Sequence, residues 1–203
     1  MIKHNTAPAL SRTLANATLE IIAQHGMDPA TKAQAAAHEA GHVIVAHAVG
    51  WTVKSAKLFK RIGLGRVFWG GMTYHSVPGY EEPKAGLVSD DPLGAFHLAI
   101  NALAGFFGEV IVGLDHPASS IDERYYAMSI AAELDKVWGK TEGHIQLQLG
   151  DLCSHVIEQN RQQFEIIRTH LHRAGRLTRH DAKRILTQSY CFDLNAMLSE
   201  SAA

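Results

Sequence analysis

Two histidines and a glutamate carry the most specific chemistry in the chain. His38-Glu39-Ala40-Gly41-His42 sits inside Ala35 to Ala46, a segment of strong helix formers. In a helix, residues four apart lie on one face, a turn apart. The imidazoles of His38 and His42 are therefore expected side by side, and two neutral imidazoles so placed can hold Zn²⁺. Glu39 follows His38 directly, so its carboxylate would lie beside a metal rather than on it. There it could take a proton from water, the catalytic part in metal-assisted hydrolysis. The competing reading makes His38 and His42 ordinary helix residues, since the chain has 13 His. Against it, Val43, Ile44 and Val45 and the small spacers imply a buried helix. Two buried imidazoles and a carboxylate are costly there without partners.

The surrounding elements must bring up further ligands. Asp28-Pro29-Ala30-Thr31 opens the motif helix, which runs to about Val49 before Gly50 stops it. His47 reads as an ordinary polar position. Residues 7–25 read as a separate helix, part of an N-terminal arm over 1–27, with one compact unit over 28–203. Val53 to Lys60 and Arg66 to His75 read as an antiparallel strand pair around turn glycines at 61–65. Within the second strand, Gly70-Gly71 signals a bulge or the close approach of another backbone. Asp91-Pro92 starts a long helix to about Val112. Ser120-x-x-Glu123 has the form of a capping box opening a helix to about Val137. A long helix follows over 141–174, with Gly150 as an interruption, then a short one over 177–188 with Thr178 as a cap. The fold class is mainly α (α+β), with a small antiparallel sheet beside the motif helix.

Composition narrows the function classes. A net charge of -1 argues against a global field for nucleic acid or membrane. The stretch from Arg161 to Arg184 is basic, with Glu165 and Asp181 as its acids. It reads as a solvated helix face, a nucleic-acid or regulatory module being the rival. Cys153 and Cys191 are far apart, which disfavours a disulfide scaffold. The first 26 residues lack an unbroken apolar core. The longest apolar run, Ala95 to Leu114, contains His97, Asn101 and Glu109, so no membrane span is expected. A cytoplasmic protein acting on polypeptide, with no membrane and with nucleic acid unlikely as a partner, is the expectation.

A catalytic zinc site has three protein ligands and an open position. Acidic residues on a neighbouring helix are the candidates for the third: Asp122, Glu123, or Glu109 in the helix before them. The macrodipole favours acids in any first helical turn, so Asp122 and Glu123 have a structural reading as well.

The chain resembles the FtsH-type zinc metallopeptidase domain. His38-Glu39-Ala40-Gly41-His42 with its alanine lead-in is similar to that family's zinc helix. Ala104-Gly105-Phe106-Phe107-Gly108-Glu109-Val110-Ile111-Val112-Gly113 is similar to its Gly-Gly-Arg-x-Ala-Glu-Glu segment. Ser119 to Ala131 resembles the helix start that carries the family's third ligand, an Asp. Val137-Trp138-Gly139 and Ile157 to Leu186 resemble the end of that helix and the C-terminal helices. The likeness covers about residues 30–190. Aligned through Ala127, Ile130, Ala131 and Trp138, it places Glu123 on the ligand position, and helical phase agrees. Residue identity favours Asp122. The two lie about 100° apart around a helix, so one of them faces a metal. The resemblance implies a helical, zincin-like bundle and a stand-alone Zn²⁺ endopeptidase. Neither the family's membrane spans nor its ATPase is expected: no apolar run reaches the length of a span, and Gly139-Lys140-Thr141 has Leu134 where a phosphate loop needs its first Gly. Unfolded or extended polypeptides would pair along the strand edge at Gly70, Gly71, Met72 and Thr73. The alternative from another class is a non-proteolytic zinc protein that binds a partner.

Overall fold

The structure is a computed structural model that describes residues 30–63, 66–76, 88–114, 120–189 and 191. The expected arm over 1–27 and residues 77–87 lie outside the described residues. Six helices and three strands are described, mainly helical with a small antiparallel sheet, as the sequence pattern predicts.

Helix α1 spans Lys32–Ala48. It starts later than the Asp28-Pro29 signal suggests, because Thr31 is the residue that caps it. The Thr31 hydroxyl accepts from Gln34 N at 3.2 Å, and the Gln34 amide oxygen accepts from Thr31 N at 2.6 Å. This reciprocal pair satisfies two otherwise orphaned donors. Burial is unbroken from Ala35 to Ala46, the mark of a central helix with neighbours on every side. Gly50, at φ +81, turns the chain out of it.

The sheet order is β2-β1-β3, with β1 Thr52–Gly63, β2 Arg66–Ser76 and β3 Arg176–Thr178 all antiparallel to their neighbours. The strands extend further into the 61–65 turn than expected. The irregularity lies in β1 between Val53 and Ser55, and the ladder runs regularly through Gly70 and Gly71. Of the bulge or close backbone expected at the glycines neither is seen: what approaches them is side chain, the Phe59 ring at Gly70 and the Glu39 carboxylate at Gly71. A three-residue strand is too short to show a period in sequence, so β3 was not foreseen. Gly175, at φ +70, turns the chain from the preceding helix onto β1. With β3 on the far side, β2 is an edge strand among the described residues.

Helix α2 is Pro92–Ile111, capped by Asp91, whose carboxylate accepts from Gly94 N at 2.9 Å. By length and composition it is apolar enough to cross a membrane, more than the sequence reading allowed. Half of that window is buried within the fold, where α2 packs against α1, α3 and α4. The crossing of α1 and α2 is very close. A Cβ on Gly41 would collide with the Ala104 carbonyl, and one on Gly108 would meet the Ala37 carbonyl.

Helix α3 spans Ile121–Val137 and is tied to α4, His144–Gln159, by Asp135. Its carboxylate accepts from Gly143 N at 2.8 Å and Ile145 N at 2.9 Å. Helix α5 is Arg161–Ala174, so the long helix expected over 141–174 breaks at Asn160, not at Gly150. The Asn160 side chain donates back to the Val156 carbonyl at 2.9 Å while its backbone leaves helical geometry. Helix α6, Arg179–Leu186, begins with a Thr178–Asp181 capping box.

Candidate metal centre

Helix α1 presents His38 and His42 to the first turn of α3. Their Nε2 atoms lie 3.1 Å apart. Glu123 Oε2 is 3.1 Å from His38 Nε2, and Glu123 Oε1 is 3.4 Å from His42 Nε2. Bonds of 2.0–2.1 Å in a tetrahedron around zinc would separate ligand atoms by about 3.3 Å. The observed triangle has that size. These three residues form the metal-ligand cluster found among the described residues.

The other ring nitrogens decide what the triangle wants. His38 Nδ1 donates to Glu109 Oε1 at 2.7 Å, and His42 Nδ1 donates to the Asn101 carbonyl at 2.8 Å. Both partners are acceptors, so each Nδ1 carries the hydrogen and each neutral ring points a lone pair from Nε2. Two lone pairs and a carboxylate then converge with no donor between them. Glu123 Oε2 is buried against His38 Nε2, at 3.1 Å. With both rings neutral such a set suits a cation, and outer hydrogen bonds of this kind orient imidazoles on metals. The residues fit zinc in number, type and spacing.

Electrostatics agree. Burial alone would lower the His38 pKa, but the Glu123 charge and hydrogen bonds to Glu109 and Glu123 raise it well above its ordinary value. Burial works to raise Glu123, yet the two imidazoles beside it hold it well below the usual carboxylate range. Without metal, a proton on the histidines answers the same demand for positive charge.

Glu39 lies next to the triangle without joining it. It is buried, and Thr73 Oγ1 donates to its Oε2 at 2.6 Å. Burial pushes its carboxyl up, more than His42, His38 and the Thr73 hydrogen bond pull it down. Strand β2 passes directly over it. A Cβ on Gly71 would collide with the Glu39 carboxylate, so only glycine lets the strand cross here. Trp69 N donates to the Ala30 carbonyl at 2.9 Å, away from β1. Backbone groups alternate along a strand, so Gly71 and Thr73 turn theirs to the same edge as Trp69.

The structure thus separates the expected site residues. His38, His42 and Glu123 meet, with Glu39 beside them. Asp122 is exposed and takes no part. Glu109 holds a histidine from behind rather than facing the centre. Ser120 caps α3 by position only: its side chain makes no cap hydrogen bond, and the Glu123 carboxylate is turned to the imidazoles instead of back to the chain. Along β2, Gly71 and Thr73 face Glu39, Gly70 lies against the Phe59 ring, and Met72 is exposed.

Three contributions escaped the sequence reading: the Asn101 carbonyl, the Thr73 hydroxyl on Glu39, and Gly105. A Cβ on Gly105 would strike the His38 ring. Gly105 and Glu109, four apart on a helix, share a face, which is the signal that could have linked them to His38.

No family model matches the chain, and no curated protein is significantly similar to it.

Proposed function

We propose that this protein is a zinc-dependent, ATP-independent endopeptidase acting on extended polypeptide. The observation that carries the reading is the triangle of His38 Nε2, His42 Nε2 and Glu123 with the Glu39 carboxylate alongside. Three protein donors among the described residues leave a fourth position for water or substrate, the pattern of catalytic rather than structural zinc. That is also what weighs against a purely structural zinc protein. The resemblance to FtsH-type peptidases points the same way.

Zinc held by His38, His42 and Glu123 would supply Lewis acidity to a water and to the scissile carbonyl. Glu39 accepts the proton of the attacking water and returns it to the leaving amine. Its raised pKa brings it closer to the pH at which it must do both. Thr73 fixes the carboxylate so that one oxygen remains for the reaction. Substrate adds as a further strand on the β2 edge, paired with Gly71 and Thr73 main-chain groups. Main-chain pairing suits broad sequence tolerance.

The test is Glu39→Gln in the zinc-loaded protein, with casein as an unfolded substrate. The variant keeps its zinc and loses cleavage by at least ~10²-fold. Undiminished cleavage would remove Glu39 from the mechanism, and zinc-loaded wild type without any cleavage would return the protein to the binding class.

A further inference from the structure

Near its other end, the metal-bearing helix holds a second reactive pair. Cys191 Sγ lies 3.5 Å from His47 Nε2. A neutral imidazole has one N–H. A neutral His47 that keeps its hydrogen on Nδ1 can accept the Cys191 thiol hydrogen at Nε2. Burial favours this neutral form by lowering the His47 pKa. A thiol within reach of an imidazole is the nucleophile and base of an activated cysteine.

The pair opens on a cavity of about 490 Å³ lined in part by Trp51, Arg179, Lys183 and Leu186. That is the size of a small-molecule site. Arg179 and Lys183 are four apart on α6 and so share its face. The acid of this helix, Asp181, is occupied elsewhere, by the Thr178 hydroxyl at 2.6 Å and by Arg184 at 3.4 Å. The cavity therefore combines a thiol, a base and two cations. Cys153 is a built-in contrast: it is fully buried, its thiol donates to the Ile100 carbonyl at 3.8 Å, and burial pushes its pKa far up.

We propose that Cys191 and His47 form a thiol-modification site whose α6 cavity admits small anionic disulfides of the glutathione-disulfide class. His47 takes the thiol proton. The Cys191 thiolate attacks one sulfur of the disulfide, forming a mixed disulfide and breaking the original S–S bond. The other half leaves as a thiolate and receives the proton from His47. Cys191 is oxidised and the departing half reduced, with no further reagent. Carboxylates on the reagent meet Arg179 and Lys183.

The experiment uses the full chain, with glutathione disulfide as the anionic probe and 2-hydroxyethyl disulfide as a neutral one. Intact-mass kinetics should show one addition, at Cys191, and none at Cys153. His47→Gln should slow both probes about tenfold. Arg179→Gln with Lys183→Gln should slow the anionic probe about tenfold and the neutral one less than twofold. A comparison that needs no variant supports this: Cys191 should react faster in the native protein than in the urea-unfolded chain at the same pH. Equal native and unfolded rates, or a His47→Gln rate like wild type, would overturn the activated pair. Equal slowing of both probes by the Arg179 and Lys183 changes would overturn the anionic ligand.

Discussion

Glu109 Oε1 sits 2.7 Å behind His38 Nδ1, while Glu123 Oε2 sits 3.1 Å in front of His38 Nε2. One imidazole is thus held between two carboxylates on two different helices. The buried one orients it, and the half-buried one completes the set of donors.

This division of labour predicts how acidic substitutions rank. Glu123→Ala removes a donor and should abolish tight zinc binding. Glu109→Gln keeps an acceptor for the Nδ1 hydrogen but loses its charge, and should weaken zinc about 10-fold, with Glu109→Ala nearer 100-fold. Asp122→Ala, on an exposed residue of the same helical turn, should leave affinity unchanged. Competition against a chelator of known affinity measures all four. A ranking with Asp122 above Glu123 would reverse the assignment.

Zinc binding should release protons near neutral pH. In the metal-free protein the carboxylates raise the His38 pKa above 6.5, so the ring holds a proton that the metal must displace. Affinity should therefore climb with pH and level off only above that raised value. The same ion pair stabilises the metal-free fold within a window. Its contribution from His38 is full below pH 6.5 and is lost as pH rises through the raised pKa. Its contribution from Glu123 is full above 4.5 and is lost as pH falls towards that group's depressed pKa. Melting curves with and without zinc across pH 4–9 check both statements, and a zinc affinity independent of pH would refute them.

The glycines of α2 and α4 should behave oppositely. Gly105→Ala drives a methyl into the His38 ring and should lower both stability and zinc affinity, by about 1–3 kcal/mol in stability. Gly150→Ala lies inside a continuous helix, where its Cβ would meet only the Phe107 Cζ at 3.4 Å. It should stabilise the protein by about 0.5–1 kcal/mol. Denaturant midpoints separate the two cases.

Thr73 can be distinguished from the donors by what its loss spares. Thr73→Val removes the hydroxyl that holds Glu39 at 2.6 Å. Zinc content should stay at the wild-type level while cleavage of casein falls about tenfold, read in kcat rather than KM. A variant that lost zinc in parallel with activity would show that Thr73 supports the donors instead.

Much of this arrangement is local, and local features can be read from order along the chain. The four-residue spacing of His38 and His42 needs only helical geometry to bring their rings together, and Glu39 follows from its place in the motif. Thr31 and Thr178 caps, the Pro92 start and the Gly50 stop are similarly written within a few residues. The choice between Asp122 and Glu123 was not. Both suit a first helical turn, and only the docking of α3 against α1 turns Glu123 inward and leaves Asp122 in solvent. The same holds for Glu109 on His38, for the Asn101 carbonyl on His42, and for Gly71 beneath which Glu39 lies. Each depends on two elements tens of residues apart approaching to van der Waals distance. A periodic pattern names the buried face of a helix, but the partner atom that meets it is decided by packing, and packing exists only once the chain is folded.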